Sequence, residues 1–126
     1  SAMSVRREVF IQEQNIPEDL EWDEFDTIAT HVVVTDNHRA IATARLIPGT
    51  EYKIGRMAVL SSYRKQGIGS QMLKALVMEA TQQGAIQIHL HAQVAAIPFY
   101  AKYDFEPTGP IFDEVGIDHV LMTLDL

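Results

Sequence analysis

The stretch Val59–Leu73, reading Val-Leu-Ser-Ser-Tyr-Arg-Lys-Gln-Gly-Ile-Gly-Ser-Gln-Met-Leu, constrains the fold of this chain more than any other. An apolar strand runs to Leu60, a polar turn follows, and an amphipathic helix opens behind the glycine pair Gly67 and Gly69. Lacking Cβ atoms, the glycines let the backbone approach a ligand closely with its N–H groups turned inward. The helix start adds unpaired N–H groups and the positive end of a dipole, and Arg64 and Lys65 add full charges. Together these describe a cradle for an anion such as a diphosphate. A P-loop would end in Gly-Lys-Ser/Thr, which is missing, and a dinucleotide fingerprint needs a third glycine where Met72 stands. The pattern Arg64-x-x-Gly67-x-Gly69 leaves two readings open: an anion cradle, or a glycine-rich strand-to-helix turn with solvated basic side chains.

At 126 residues the chain is expected to form a single domain, 1–126, with one core. Its 47% apolar content excludes wholesale disorder. A net charge of −7 makes nucleic acid a poor partner and favours approach of a cationic amine. No apolar run reaches membrane-spanning length and no signal peptide is visible, so no membrane partner and a cytoplasmic setting are expected. The absence of cysteine rules out disulfides, thiol nucleophiles and cysteine metal sites.

Ser4 is placed to cap a helix through about Gln14, with Val5, Val9, Phe10 and the later Ile16 as its apolar stripe and Pro17 ending the run. Glu18 to Asp26 carries six acids interleaved with Leu20, Trp22 and Phe25. It reads as a solvated acidic loop anchored by aromatics, or, more sharply, as an amine-attracting rim. Strands are expected at Thr30–Thr35, Ala40–Ile47 and Lys53–Leu60, the first two joined by a hairpin turn at Asp36-Asn37-His38-Arg39. The helix after the glycine loop buries Ile68, Leu73, Leu76, Val77 and Ala80 and stops at Gly84. Ile86–Gln93 alternates cleanly: Ile86, Ile88, Leu90 and Ala92 on one face, Gln87, His89, His91 and Gln93 on the other. A helix from about Ala95 to Tyr103 follows, then a strand from Phe105 broken by Thr108-Gly109-Pro110, then a last strand His119–Leu126. The order α, β-β-β, α, β, α, β-β predicts an α/β fold, an α+β arrangement of helices on one mixed sheet, with a right-handed parallel crossover around the glycine loop.

That order, with the glycine loop, resembles the GNAT superfamily of N-acyltransferases. Pro98-Phe99-Tyr100-Ala101-Lys102-Tyr103-Asp104-Phe105 is similar to the superfamily's Phe-Tyr-x-Lys-x-Gly-Phe segment, and Gln93-x-x-Ala96 stands where many members have Asn-x-x-Ala. Arg7–Gln14, Glu21–Asp26 running on to His31, and Glu114-Val115-Gly116-Ile117-Asp118-His119 resemble the ElaA-like branch. Two departures stand out. The usual first strand is apparently missing, which leaves the Val32 strand as a sheet edge. Asp104 replaces a glycine, a substitution that a left-handed backbone tolerates for Asp better than for most residues.

The resemblance implies acyl transfer from acyl-CoA, typically acetyl-CoA, to an amine, with no metal. It implies that Gln66, Gly67, Ile68, Gly69 and Ser70 hold the pyrophosphate, helped by Arg64 and Lys65. Met57, Ala58 and Val59 would pair with pantetheine, a main-chain N–H near Val59 would bind the oxyanion, and Gln93, Phe99 and Tyr100 would line the cofactor. Tyr100 is the expected general acid, protonating the departing sulfur. No carboxylate lies on the third strand, where Arg56 cannot act as a base and is expected to pair with an acid. Candidate bases are Glu13, His31, His91, Glu114 and His119; Glu13, His31 and His119 are set beside Tyr100 as the catalytic group. His89 and His91, two apart on one face, read as cleft lining in preference to a metal pair. Partners are an acyl-CoA, an amine acceptor and, by analogy alone, a second copy of the chain. The competing expectations are a non-catalytic acyl-CoA binder or sensor, and an anion or nucleotide binder on an unrelated α/β fold.

Overall fold

The computed structural model describes residues 1–126. Helix α1 (Ala2–Arg6) is capped by Ser1, not Ser4, and widens into a π-helical turn over Arg7–Glu13. The expected helix to Gln14 therefore exists but is partly π, with Gln14 N–H bonding back to Val9 O at 3.0 Å. Such widened turns gather at functional positions. The Glu18–Asp26 segment is a correction. It folds as helix α2 (Glu18–Glu21) and a 3₁₀ turn (Glu24–Thr27), and three of its acids are drawn inward by arginines.

Six strands follow: β1 (Thr30–Asp36), β2 (Arg39–Ile47), β3 (Tyr52–Val59), β4 (Gln87–Gln93), β5 (Glu106–Glu114) and β6 (Ile117–Asp125). Their order in the sheet is β1-β2-β3-β4-β6-β5, with β1 at one edge. All neighbours are antiparallel except β3 and β4, which helix α3 (Ile68–Gln82) links as a parallel pair. Asn37 and His38 take left-handed φ values of 49° and 66°, as a two-residue hairpin needs. Asp104 does the same at 70°, ending the turn after helix α4 (Ile97–Ala101).

The core lies on both faces of β2, whose residues Ala40 to Leu46 are all buried. Helix α3 contributes Met72, Leu73, Leu76 and Ala80 at i, i+1, i+4 and i+8, while Ile68 and Val77 are only half-buried. Full burial of a side chain such as Leu73 or Leu76 contributes about 1.5–3 kcal/mol. Two strand expectations need correction. Ile86 is exposed and lies before β4, because the chain has only just left the α3 cap at Gly84. Thr108-Gly109-Pro110 does not end β5 but is absorbed as a bulge, with the β5–β6 register shifting between Thr108 and Phe112.

Candidate active site

Strands β3 and β4 touch through only two residue pairs, Tyr52↔Ile88 and Lys53↔His89, and then part. The parting has a local cause. On β2, Thr43 faces Ala58 and Arg45 faces Gly55, so Ala44 stands opposite both Arg56 and Met57. This is a β-bulge, and Arg56 takes a left-handed φ of 51° to make it. Between the diverging strands opens a cavity of 700 Å³, lined by Phe10 and Gln14 from the π turn, Met57, Gln93, Tyr100, and the cluster Glu114 and His119.

At the open end, Leu60 N–H bonds to Ile41 O on β2 at 2.9 Å. Successive N–H groups of an extended chain point to opposite sides, so the polar groups of Val59 turn away from β2 toward the opening. Val59 O accepts there from Arg64 Nε at 2.8 Å. The guanidinium continues into a two-pronged ion pair with Glu13, at 2.8 and 2.7 Å. That hydrogen-bonded pairing holds the Glu13 carboxyl below its ordinary range. Lys65 at φ 63° and Gly67 at φ 80° swing the chain into α3. Gln71 N–H makes the first bond of the new helix, to Gly67 O at 3.1 Å, so the N–H groups of Ile68, Gly69 and Ser70 precede it. Gly69 packs against Phe99: a Cβ there would stand 3.4 Å from the edge of the ring, at ordinary contact distance. Ser70 hydrogen-bonds the Tyr103 hydroxyl, which ties α3 to the turn after α4.

Tyr100 sits between these parts. Its ring packs edge-on against Phe99 and Phe105 at 5.0 and 6.1 Å, and its hydroxyl points at Met57 Sδ, 3.9 Å away. Burial pushes its pKa up to about 12, so the phenol stays protonated. Gln93 is held by Gln14, Nε2 to Oε1 at 3.1 Å.

The polar wall is a carboxylate between two imidazoles. His91 Nδ1 donates to Glu114 Oε1 at 2.9 Å, and His119 Nε2 stands 3.6 Å from Glu114 Oε2. The His91 hydrogen bond outweighs desolvation and keeps Glu114 below the ordinary carboxylate range, hence ionised. His119 Nδ1 donates to Ile117 O at 2.7 Å, which fixes its tautomer. Of the other two catalytic candidates, Glu13 is engaged with Arg64, and His31 Nε2 bonds Asp26 O at 2.9 Å; neither lines the cavity. His89 and His91, with ring centres 6.4 Å apart, face different carboxylates, Glu51 and Glu114.

Sequence reasoning missed the ion network beneath the cavity. Arg6, 1% exposed, binds Glu21 at 2.7 Å and Asp26 at 2.6 Å. Arg45, 3% exposed, grips both oxygens of Asp23 at 2.6 and 2.7 Å and reaches Asp26 at 2.8 Å. Arg56 does pair with acids as expected, with Glu21 and Asp23, both at 3.2 Å. Burial raises the Glu21 pKa against the pull of these cations. The available signal was Arg45 itself, a charge amid the apolar run Ala40–Leu46 with an acid-rich segment upstream.

The chain is similar to known proteins over nearly its whole length. A family model described as an acetyltransferase (GNAT) domain matches residues 3–126. YjcF of Bacillus subtilis, an uncharacterized N-acetyltransferase, is 37% identical over 98% of this chain and 90% of its own length. A crystal structure from Lactobacillus plantarum has a TM-score of 0.91 at 32% identity, over 99% of this chain and 88% of that one. The crystal structure of Escherichia coli ElaA has a TM-score of 0.88 at 26% identity, over 97% and 86%.

Proposed function

Because the chain belongs to the ElaA-like branch of the GNAT acetyltransferase family, we propose that it carries an acetyl group from acetyl-CoA directly to an amine. The observation that carries this reading is the parting of β3 from β4 beside a protonated, half-buried tyrosine. An extended pantetheine fits such a gap as an added strand, bonding the outward polar groups of Val59. The glycine turn then takes the pyrophosphate on the N–H groups of Ile68 to Ser70. Arg64 reaches a phosphate only by releasing Glu13 and Val59 O, and Lys65 is the exposed cation beside it.

Glu114 and His119 accept a proton from the acceptor ammonium, leaving a free amine lone pair. The nitrogen attacks the thioester carbonyl, and Val59 N–H stabilises the oxyanion. As the C–S bond breaks, Tyr100 gives its proton to the leaving sulfur, while the attacking nitrogen releases its second proton to solvent, from which the Tyr100 hydroxyl is restored. Of the four catalytic residues first set out, this reading keeps Tyr100 and His119 and adds Glu114. Glu13 becomes the partner of Arg64, and His31 a brace for the 3₁₀ turn.

The test is thiol release from acetyl-CoA across a broad amine panel. Amine-dependent thiol release with an acetylated product supports the reading. Acetyl-CoA binding with no transfer to any amine would replace it with the non-catalytic binder.

A further inference from the structure

We propose that the acceptor amine carries a carboxylate on the same molecule, with Lys53 holding the carboxylate while Glu114 and His119 hold the ammonium. This rests on the acyl-transfer reading and deepens it by naming the acceptor class.

The ammonium end follows from a tautomer. A carbonyl only accepts, so the 2.7 Å contact to Ile117 O puts a hydrogen on His119 Nδ1. In the neutral ring Nε2 is then a lone pair, and it faces another acceptor, Glu114 Oε2, at 3.6 Å. Two convergent acceptors call for a donor with more than one N–H, and an ammonium offers three. The other oxygen of Glu114 is already pinned by His91.

The carboxylate end follows from a cation that lacks a carboxylate partner. Lys53 lines the same cavity, half-buried, and no carboxylate comes within 4.0 Å of its ammonium. The nearby acids are engaged elsewhere: Glu51 faces His89, Glu114 faces the two imidazoles, and Asp23 is held by Arg45 and Arg56. Burial lowers the Lys53 pKa although Glu114 pulls it the other way. A bound anion would remove that penalty. On the adjacent strand Arg45 is 3% exposed, and its Nε is buried with no hydrogen-bond partner. Arg45 stands opposite Gly55, which shares the Lys53 face of β3, and a Cβ on Gly55 would meet nothing within 4 Å. The open space over Gly55 thus lies on the face of β3 that carries the unpaired Lys53 ammonium. That is charge for a monoanion.

The register sets the spacing. Lys53 is level with His89, and His119 is level with Gln93. Glu114 reaches back to His91, two residues from His89, so the two ends stand only about 7 Å apart along the strands before the lysine stem is counted. An amino carboxylate spans this, and Ile47 and Val115 line the same cavity for its methylenes.

The experiment compares ω-amino carboxylates of three to six carbons with the matched n-alkylamines, in wild type, Lys53→Gln and Lys53→Arg. Thiol release gives kcat/KM, and calorimetric titration of each acceptor gives binding. The amino carboxylates should exceed their matched amines by about 10- to 100-fold, the size of a charged hydrogen bond. Lys53→Gln should collapse that ratio and Lys53→Arg should restore part of it. A wild-type ratio near one, or a ratio that Lys53→Gln does not move in a protein of unchanged thermal melt, overturns the proposal while leaving acyl transfer standing. If no acceptor is turned over, calorimetry decides. Amino-carboxylate binding lost in Lys53→Gln keeps the acceptor site and sinks acyl transfer, and no binding at all overturns both.

Discussion

At the residue scale, Tyr100 and Glu114 have complementary protonation states fixed by their surroundings. Burial holds the phenol proton to about pH 12, while the His91 hydrogen bond keeps Glu114 ionised. Replacing Tyr100 with Phe removes the donor and keeps the ring, so kcat should fall by about 100-fold or more. The dissociation constant for acetyl-CoA should stay within about two-fold. Thiol release and calorimetry on the same preparation check the two halves separately. His91 acts through Glu114 and is a positioning residue. Its removal as His91→Ala should let the Glu114 pKa rise toward the ordinary value of about 4.3. The acid limb of kcat/KM should therefore move to higher pH, whereas loss of mere packing would lower the whole profile without moving the limb. In the sequence Tyr100 is legible because it sits in a motif, but Glu114 is one of five candidate bases and not among the three set beside Tyr100. What separates them is that β5 and β6 carry Glu114 to two histidines on other strands. That contact spans 23 residues to His91 and is invisible to local pattern.

At the element scale, the site depends on a bulge and a left-handed turn. The bulge at Arg56 parts β3 from β4, and the turn at Gly67 aims the start of α3 at the gap. The two glycines should respond differently to alanine. Gly67 has φ 80°, where an L-residue costs about 1–2 kcal/mol, while nothing crowds its Cβ position. Gly69 has an ordinary backbone, and its Cβ would touch the flexible edge of Phe99 at 3.4 Å. Urea denaturation should show Gly67→Ala destabilised by about 1–2 kcal/mol and Gly69→Ala by less. The glycine turn, the hairpin at Asn37 and the order of elements are legible because turn chemistry and periodicity are local. The bulge is not, since Gly55-Arg56-Met57 carries no signal until β2 is laid beside it. The Thr108-Gly109-Pro110 stretch fails the opposite way: its turn residues are real, but pairing with β6 absorbs them into a strand.

At the scale of the whole molecule, the ion network joins α1, α2, the 3₁₀ turn, β2 and β3 beneath the cavity. Desolvation would raise the Asp26 pKa, but hydrogen bonds from Arg6, the Asp23 backbone and Arg45 overcome it and bring it to about 2. A depressed carboxyl contributes stability above its unfolded pKa, and that stability is lost as pH falls through the folded value. From about pH 4 down to about pH 2, Asp26 alone should cost the fold about 2 kcal/mol. Glu21, shifted upward by burial, works the other way and softens the loss. Asp26→Asn should remove this pH dependence and destabilise the protein by about 3–5 kcal/mol at neutral pH, because Arg6 and Arg45 lose a buried partner. Urea midpoints at pH 7, 4 and 3 would show both effects. The sequence conceals this network because its arginines lie 15 to 35 residues from the acids they meet. The claim on which everything else turns is that the gap between β3 and β4, with the glycine turn at its open end, is an acyl-CoA site. Calorimetric titration with acetyl-CoA, with ATP as the control anion, tests it most directly. The account predicts micromolar binding of acetyl-CoA and at least tenfold weaker binding of ATP, since only acetyl-CoA carries a pantetheine to pair with β3. Equal binding of the two would mean a general anion site at the helix start, and no binding of acetyl-CoA would contradict the account.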